Sequence, residues 1–289
     1  MKSVVSLLLA AVAGLAVAQV PDVQVKADLG PTYRNEVLGG SDVHWYDPFG
    51  RHSYIALQFA LEPGFRAYVS QKIERIRNDG DKSPIDESFV EDVGVWRAGK
   101  QYLPFGQQRV LRDSVVAVRS DTELFLREFP VSIAACDGGS GHQRGIVGRI
   151  GRTFGLSFAI GQHFGIAGTS MTQARLPEES PGVKGGYRHV FGADATREVG
   201  VFVLRGEYVL FRQGHEGAHD REIIDLTATL QPALSRSLTF GYSQATHPGI
   251  QSFRVQGAFL VATNVWAEPW VRTRNGKMFD TGVSLRVRL

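Results

Sequence analysis

The chain has 289 residues, with 33 glycines, 12 prolines, one cysteine and a formal net charge of +3. A single cysteine excludes an internal disulfide framework, and so mild a charge gives no argument for nucleic acid as a partner. Beyond the N-terminus no apolar run approaches the length of a membrane helix, so a membrane form of this chain has to be a closed barrel of strands.

The first 18 residues read as a signal peptide. Lys2 supplies a basic start, "VVSLLLAAVAGLAV" an apolar stretch, and "AVA" at 16–18 the small residues before a cleavage site. The expected organisation is therefore an export signal over 1–18 and one β-barrel domain over 19–289. Cys136 lies far from the new N-terminus, so a lipid anchor there is excluded.

Alternation with period two begins early. "FRAYVSQKIER" sets Phe65, Ala67, Val69 and Ile73 against Arg66, Ser70, Lys72 and Glu74. The best helical candidate, residues 69–77, alternates at least as well as a strand. Next comes a run, residues 85–119, that holds Gly99-Lys100-Gln101-Tyr102-Leu103-Pro104-Phe105-Gly106. On local chemistry Pro104, Phe105 and Gly106 mark a strand stop and a turn, because proline lacks the donor a ladder needs. This stretch, with the hairpin-like residues 123–162 after it, resembles the phosphate-selective (O/P-type) porins, in which a strand ends in a Gly-basic-x-x-x-Pro-Phe-Gly run. The resemblance covers about a third of the chain. It implies an outer-membrane barrel, a strand-to-loop junction at Gly99, Lys100, Pro104, Phe105 and Gly106, and a following loop folded towards the lumen. It implies no phosphate specificity, since no cluster of lysines matches residue by residue. The chain is shorter than that family's members and ends in Leu289 where outer-membrane proteins usually end in phenylalanine.

Cys136, in "IAACDGGSG", reads as a small buried filler before a glycine turn. "GLSFAIG" (155–161) alternates again. "VEDVGVW" and "REIIDLTATL" alternate poorly and fit either a soluble or a membrane scheme. Between two strand-like runs stands His215-Glu216-Gly217-Ala218-His219, the HExxH spacing of zinc peptidases. That chemistry needs a helix to bring both imidazoles to one metal. Here Gly214 and Gly217 punctuate the motif, Asp220 follows it, and no third ligand stands at a useful distance. His215 and His219 are thus weak metal candidates in a hairpin loop. The other histidines (His44, His52, His142, His163, His189, His247) lie mostly beside turns, and none forms a serine–histidine signature.

Towards the C-terminus "SLTFGYSQ", "SFRVQGAFLVAT", "VWAEPWVRTR" and "FDTGVSLRVRL" alternate most cleanly. In the last, Phe279, Thr281, Val283, Leu285, Val287 and Leu289 share one face and Asp280, Gly282, Ser284, Arg286 and Arg288 the other. The polar faces carry glycine, alanine, serine and isolated arginines, which suit a wet lumen better than a dry core. The expected fold is an all-β, antiparallel, up-and-down transmembrane β-barrel of about 12 strands, between 10 and 14, with strands of about 9–11 residues.

With the apolar face outward, Arg66, Lys72, Arg149, Arg254, Arg272, Arg274, Arg286 and Arg288 line the interior, with Glu74, Glu268 and Asp280 beside them. Trp45, Trp96, Trp266 and Trp270 are candidates for interfacial girdles or for packing. The expected function is passive passage of small solutes, favouring anions through the lumen arginines. The alternatives are a closed structural or surface barrel without transport, and a hydrolase hinted at only by the HExxH spacing. No catalytic residues and no cofactor are expected. The partners expected are outer-membrane lipid, small solutes or ions, the barrel assembly machinery through the C-terminal strand, and further copies of the chain.

Overall fold

The computed structural model of the chain describes residues 22–38, 41–47, 53–73, 85–108, 110, 114–124, 129–137, 144–164, 187–214, 220–246 and 249–289. Residues with alternating apolar and polar side chains form strands throughout, joined in sequence order as hairpins. The first half comprises β1 (Asp22–Leu29), β2 (Thr32–Leu38), β3 (Ser41–Asp47), β4 (Tyr54–Glu62), β5 (Phe65–Lys72), β6 (Ile85–Asp92), β7 (Trp96–Tyr102), β8 (Ser114–Leu124) and β9 (Phe129–Asp137). The second half comprises β10 (Arg144–Gly151), β11 (Phe154–Phe164), β12 (Tyr187–Val199), β13 (Phe202–Gly214), β14 (Arg221–Ala233), β15 (Arg236–Ala245), β16 (Ile250–Ala262), β17 (Val265–Arg274) and β18 (Lys277–Arg288). From β4 to β18 each strand pairs antiparallel with the next.

The ring closes at its two ends through β1 and β2. β1 pairs with β4 from Asp22↔Ala60 to Asp28↔Tyr54, and its last residues pair with β18 at Asp28↔Arg288 and Leu29↔Val287. β2 continues in the same direction along β18, from Thr32↔Ser284 to Glu36↔Asp280, and holds β3 on its other side. So β1 and β2 are one wall strand broken at Gly30-Pro31, and β3 and β4 are the next, broken between Asp47 and Tyr54. Eighteen segments make sixteen barrel strands, which corrects the expected 12. Pro31 sits where its missing N–H removes no ladder bond. The break is stitched by neighbours instead: Ser53 Oγ accepts from Gly30 N at 2.9 Å, and Pro31 O accepts from Leu285 N at 3.0 Å.

Two physical causes account for the miscount. The connections at one end are tight: residues 152–153, 200–201, 234–235 and 263–264 each join two strands. Each strand with its share of connections therefore uses roughly 17 residues, fewer than a count based on long loops allows. The longer connections, including 165–186, all lie at the other end.

Side chains sort cleanly by face. Val116, Val118, Ile133, Ile146, Leu156, Leu204, Phe240, Val255, Val283 and Leu285 all lie on the outer face and are exposed. Their neighbours in sequence turn inward. Trp96 stays outside, edge-on to Phe65 with ring centroids 5.4 Å apart, near the short-turn end. Trp266 and Trp270 turn inward, against a girdle role: Trp270 Nε1 donates to Asp280 Oδ1 at 3.2 Å, and the Arg288 guanidinium lies 5.6 Å from the Trp266 ring.

Closure is reinforced by charge. Asp28 on β1 accepts from Arg286 Nε of β18 at 2.8 Å and lies 3.6 Å from Arg288 Nε, and Arg288 Nη2 donates to Glu268 Oε1 at 2.8 Å. Replacing Asp28 with alanine and Arg286 with alanine, singly and together, forms a double-mutant cycle on refolding in urea and lipid vesicles. The expected coupling is about 1 kcal/mol or more, with each single variant less stable than the wild type. Additive single effects would show that the pair does not fasten the barrel.

A loop folded into the lumen and the arginine wall that faces it

The connection between β7 and β8 does not stay above the wall. Gly106 N donates to Ser157 Oγ of β11 at 2.9 Å. Gln107 Nε2 donates to Ala195 O of β12 at 2.8 Å and Gly206 O of β13 at 3.4 Å. Val110 N donates to Glu207 Oε2 of β13 at 3.4 Å. With strands spaced about 4.8 Å apart, β13 lies some 24 Å along the wall from β8, so the loop reaches it only through the interior. Ser157 and Glu207 sit on inward faces in the short-turn half of their strands, which places the loop well down inside the barrel.

Two glycines make the seat. Gly106 has φ +52, a left-handed conformation that side-chain-bearing residues rarely adopt, and a Cβ on it would lie 1.9 Å from Glu207 Oε1. Gly192 leaves room for the Phe105 ring, whose nearest atoms would be 2.8 Å from a Cβ there. Phe105 and Val110 are fully buried, and Leu103 nearly so. They join inward-facing Val115, Ala117, Ala134, Cys136, Val147, Ala159, Val190, Val209, Phe211 and Ile223 in one apolar cluster. The small and polar inner face expected from several strands thus gives way here to an apolar patch, because the loop covers it and makes it a core. Among the candidates drawn from the sequence, Pro104, Phe105 and Gly106 lie in this loop. Gly99 stands on β7 at φ +129, with a Cβ position 2.3 Å from Ser88 O. Lys100 pairs with outward Val116, and its Nζ donates to Ile85 O at 2.6 Å, so it does not point into the interior.

The remaining arc is charged. Arg272 and Arg34 both meet Asp280, Arg34 at 3.8 Å, and Arg34 also pairs with Glu36. Arg66 and Arg97 share Glu91, with Arg97 Nη2 at 2.7 Å and its guanidinium 4.0 Å above the Phe89 ring. Lys72 pairs with Asp86 at 3.1 Å. Arg254 faces inward opposite Arg272, and Arg274 opposite Ser252. Arg149 lies under the loop, where it reaches across Gly155 to Asp194 at 2.6 Å. All eight basic residues expected from the sequence to line the interior thus lie on inward faces, seven of them away from the apolar cluster. Sequence alternation missed Arg34, Arg97, Asp28 and Glu91; the break at Gly30-Pro31 and the irregular "VEDVGVW" hid them.

His215 and His219 lie outside the described residues. β13 ends at Gly214 and β14 starts at Arg221, so the HExxH stretch connects two antiparallel strands at the long-connection end. Glu74 and the side chain of Trp45 are likewise outside the described residues. Among the described residues no three metal-ligating side chains converge.

A closed barrel of sixteen antiparallel strands is the scale at which porins enclose an aqueous channel. No protein-family model and no curated protein sequence matches this chain. Solved structures do. An anion-selective porin from Comamonas acidovorans superposes with a TM-score of 0.62 at 13% identity, covering 93% of this chain and 99% of the porin. OmpF from Salmonella typhi gives 0.62 at 10%, over 93% and 98%. OmpT, an outer membrane protein of Vibrio cholerae in its trimer form, gives 0.60 at 11%, over 94% and 100%. The chain has the porin fold over nearly its whole described length.

Cys136 reports on the loop. In the native barrel the thiol, buried and donating to Gly145 O at 3.4 Å, is expected to react slowly with a water-soluble thiol reagent. Gly106→Val, which cannot keep both the left-handed backbone and the Glu207 contact, is expected to speed labelling about tenfold or more. Equal rates in the two proteins would show that the loop does not cover this wall.

Proposed function

We propose that the chain is an outer-membrane porin, exported by residues 1–18, through which small hydrophilic solutes diffuse down their gradients. The observation that carries the proposal is the divided lumen: an apolar loop lies against one arc and leaves an arginine-rich arc as the polar surface beside the remaining space. Solutes too wide for that space are excluded. Those that enter meet a wall on which Glu91 is shared by Arg66 and Arg97, and on which Arg254 stands opposite Arg272 and Arg274 opposite Ser252. Such a wall raises the local anion concentration. Extensive ion pairing keeps this bias modest, because paired charges largely cancel at a distance.

The likeness of residues 85–119 to the O/P-type porins supports the same class and names no solute. The printed description of the Comamonas porin as anion-selective agrees with the direction of the bias proposed here. The V. cholerae neighbour in trimer form supports association of this chain with further copies of itself. Its outward apolar strands give the assembly machinery and the lipid a surface to engage.

The purified full chain in a planar bilayer is expected to show discrete conductance steps. Under a tenfold KCl gradient the zero-current potential is expected to take the sign set by chloride. The bias should be stronger at 0.1 M than at 1 M salt, since screening lengths fall from about 10 Å to about 3 Å. The Arg254→Ala, Arg274→Ala double variant should lower the anion-to-cation permeability ratio about twofold. Absence of steps across these salts would leave the closed-barrel alternative; steps with a potassium-signed potential would overturn the anion bias alone.

A further inference from the structure

The outer face carries one feature that the lumen does not explain. Three rows of outward residues cross β12 to β16. The first runs Ala195, Gly206, Leu226, Tyr242, Phe253; the second runs Arg197, Leu204, Ala228, Phe240, Val255; the third runs Val199, Phe202, Leu230, Leu238, Gly257. Ala195, Gly206 and Ala228 are small and adjacent. They leave a groove of about 540 Å³ walled by Leu204, Leu226, Phe240, Tyr242 and Phe253. Arg197 lines the same groove.

Arg197 is the one charged side chain among the fifteen residues of these rows. It is exposed, and none of the fifteen residues in the three rows is acidic. Exposed Val199 and Phe202 separate it from the turn at Gly200-Val201, so the guanidinium emerges inside the apolar band. A charge on the lipid face is costly unless an anion meets it. The turn belongs to the short-connection end, which in such barrels is the periplasmic one. There the lipid supplies a phosphate within reach of the long Arg197 side chain and an acyl chain running up the wall from it.

We propose that the groove is a binding site for one glycerophospholipid of the periplasmic leaflet. The phosphate is held by Arg197, and an acyl chain lies over Gly206 and Ala228. A guanidinium matches two phosphate oxygens in a bidentate, charge-assisted contact. The flexible chain fills a dent that the pleated face of a second barrel would leave empty, and a second barrel would also have to bring a carboxylate to this depth. The proposal rests on the outer face meeting lipid and not on conduction, so a barrel that passes no solute yet retains the lipid would leave it standing.

Native mass spectrometry of the detergent-purified full chain tests it, with phosphatidylglycerol and diacylglycerol of matched chains as probes. The expected result is one phosphatidylglycerol retained per chain, in at least fivefold preference to diacylglycerol. Arg197→Gln should abolish the preference, Arg197→Lys should keep most of it, and Ala228→Phe should remove retention of both probes. Heat-modifiable migration on a gel confirms that each variant is folded; if Ala228→Phe fails there, Ala195→Leu fills the same groove. Retention unaffected by Arg197→Gln and by the groove-filling variant overturns the proposal. So does its absence from the wild type, including the case in which the wild type is an oligomer that Ala228→Phe dissociates, for then a second copy covers the groove.

Discussion

Within a hydrocarbon layer no water is available to the backbone, and every N–H and C=O has to find its partner inside the chain. Strands meet that requirement in a sheet that returns to its own first strand. Here the return is made by β18, which pairs with two consecutive segments, and Leu289 exchanges backbone bonds with Ala27 at 2.9 and 3.1 Å. The Asp28, Arg286, Arg288 and Glu268 cluster lies on the inner side of that seam. The broken first two strands are tolerated because Ser53, Ser284 and the carbonyl of Pro31 take up the bonds that Gly30-Pro31 interrupts.

Closure then creates an interior whose two arcs have opposite chemistry. The strands β8 to β14 carry an apolar patch on the long-connection half of their inner face, bordered on the short-turn side by Arg119, Asp121, Arg149, Asp194 and Glu207, and the loop after β7 covers it. That loop is held by polar bonds at Ser157 and Glu207 and by the Phe105 ring beside Gly192. The opposite arc, on β16 to β18 and β2 to β7, is kept wet by arginines and carboxylates in shared pairs. The narrowed, charged passage proposed for this barrel rests on these two features.

Much of this was legible in the residues, and the losses have identifiable causes. The C-terminal strands alternate most cleanly, so the facing of Arg286, Arg288, Arg254 and Arg272 followed from period two alone. The stretch Pro104-Phe105-Gly106 marked a loop, and its resemblance implied the inward fold; nothing local could say that Gly106 rests on Glu207 a hundred residues away. Alternation blurred in "REIIDLTATL" because Ile223 faces the buried cluster while Ile224 faces outward, so both faces are apolar there. For Trp266 and Trp270 the residue type left girdle and packing both open, and the inward place of each brings its indole to Arg288 or Asp280. The strand count failed where turns of two residues left little room for punctuation.

The central claim, a lumen narrowed but left passable for small polar solutes, is tested most directly by liposome swelling with a series of neutral sugars of increasing size. The account predicts rapid swelling with monosaccharides and a steep fall for larger sugars, with the cut-off moved upward by Gly106→Val. Vesicles carrying the folded wild-type barrel that do not swell in any sugar would contradict it.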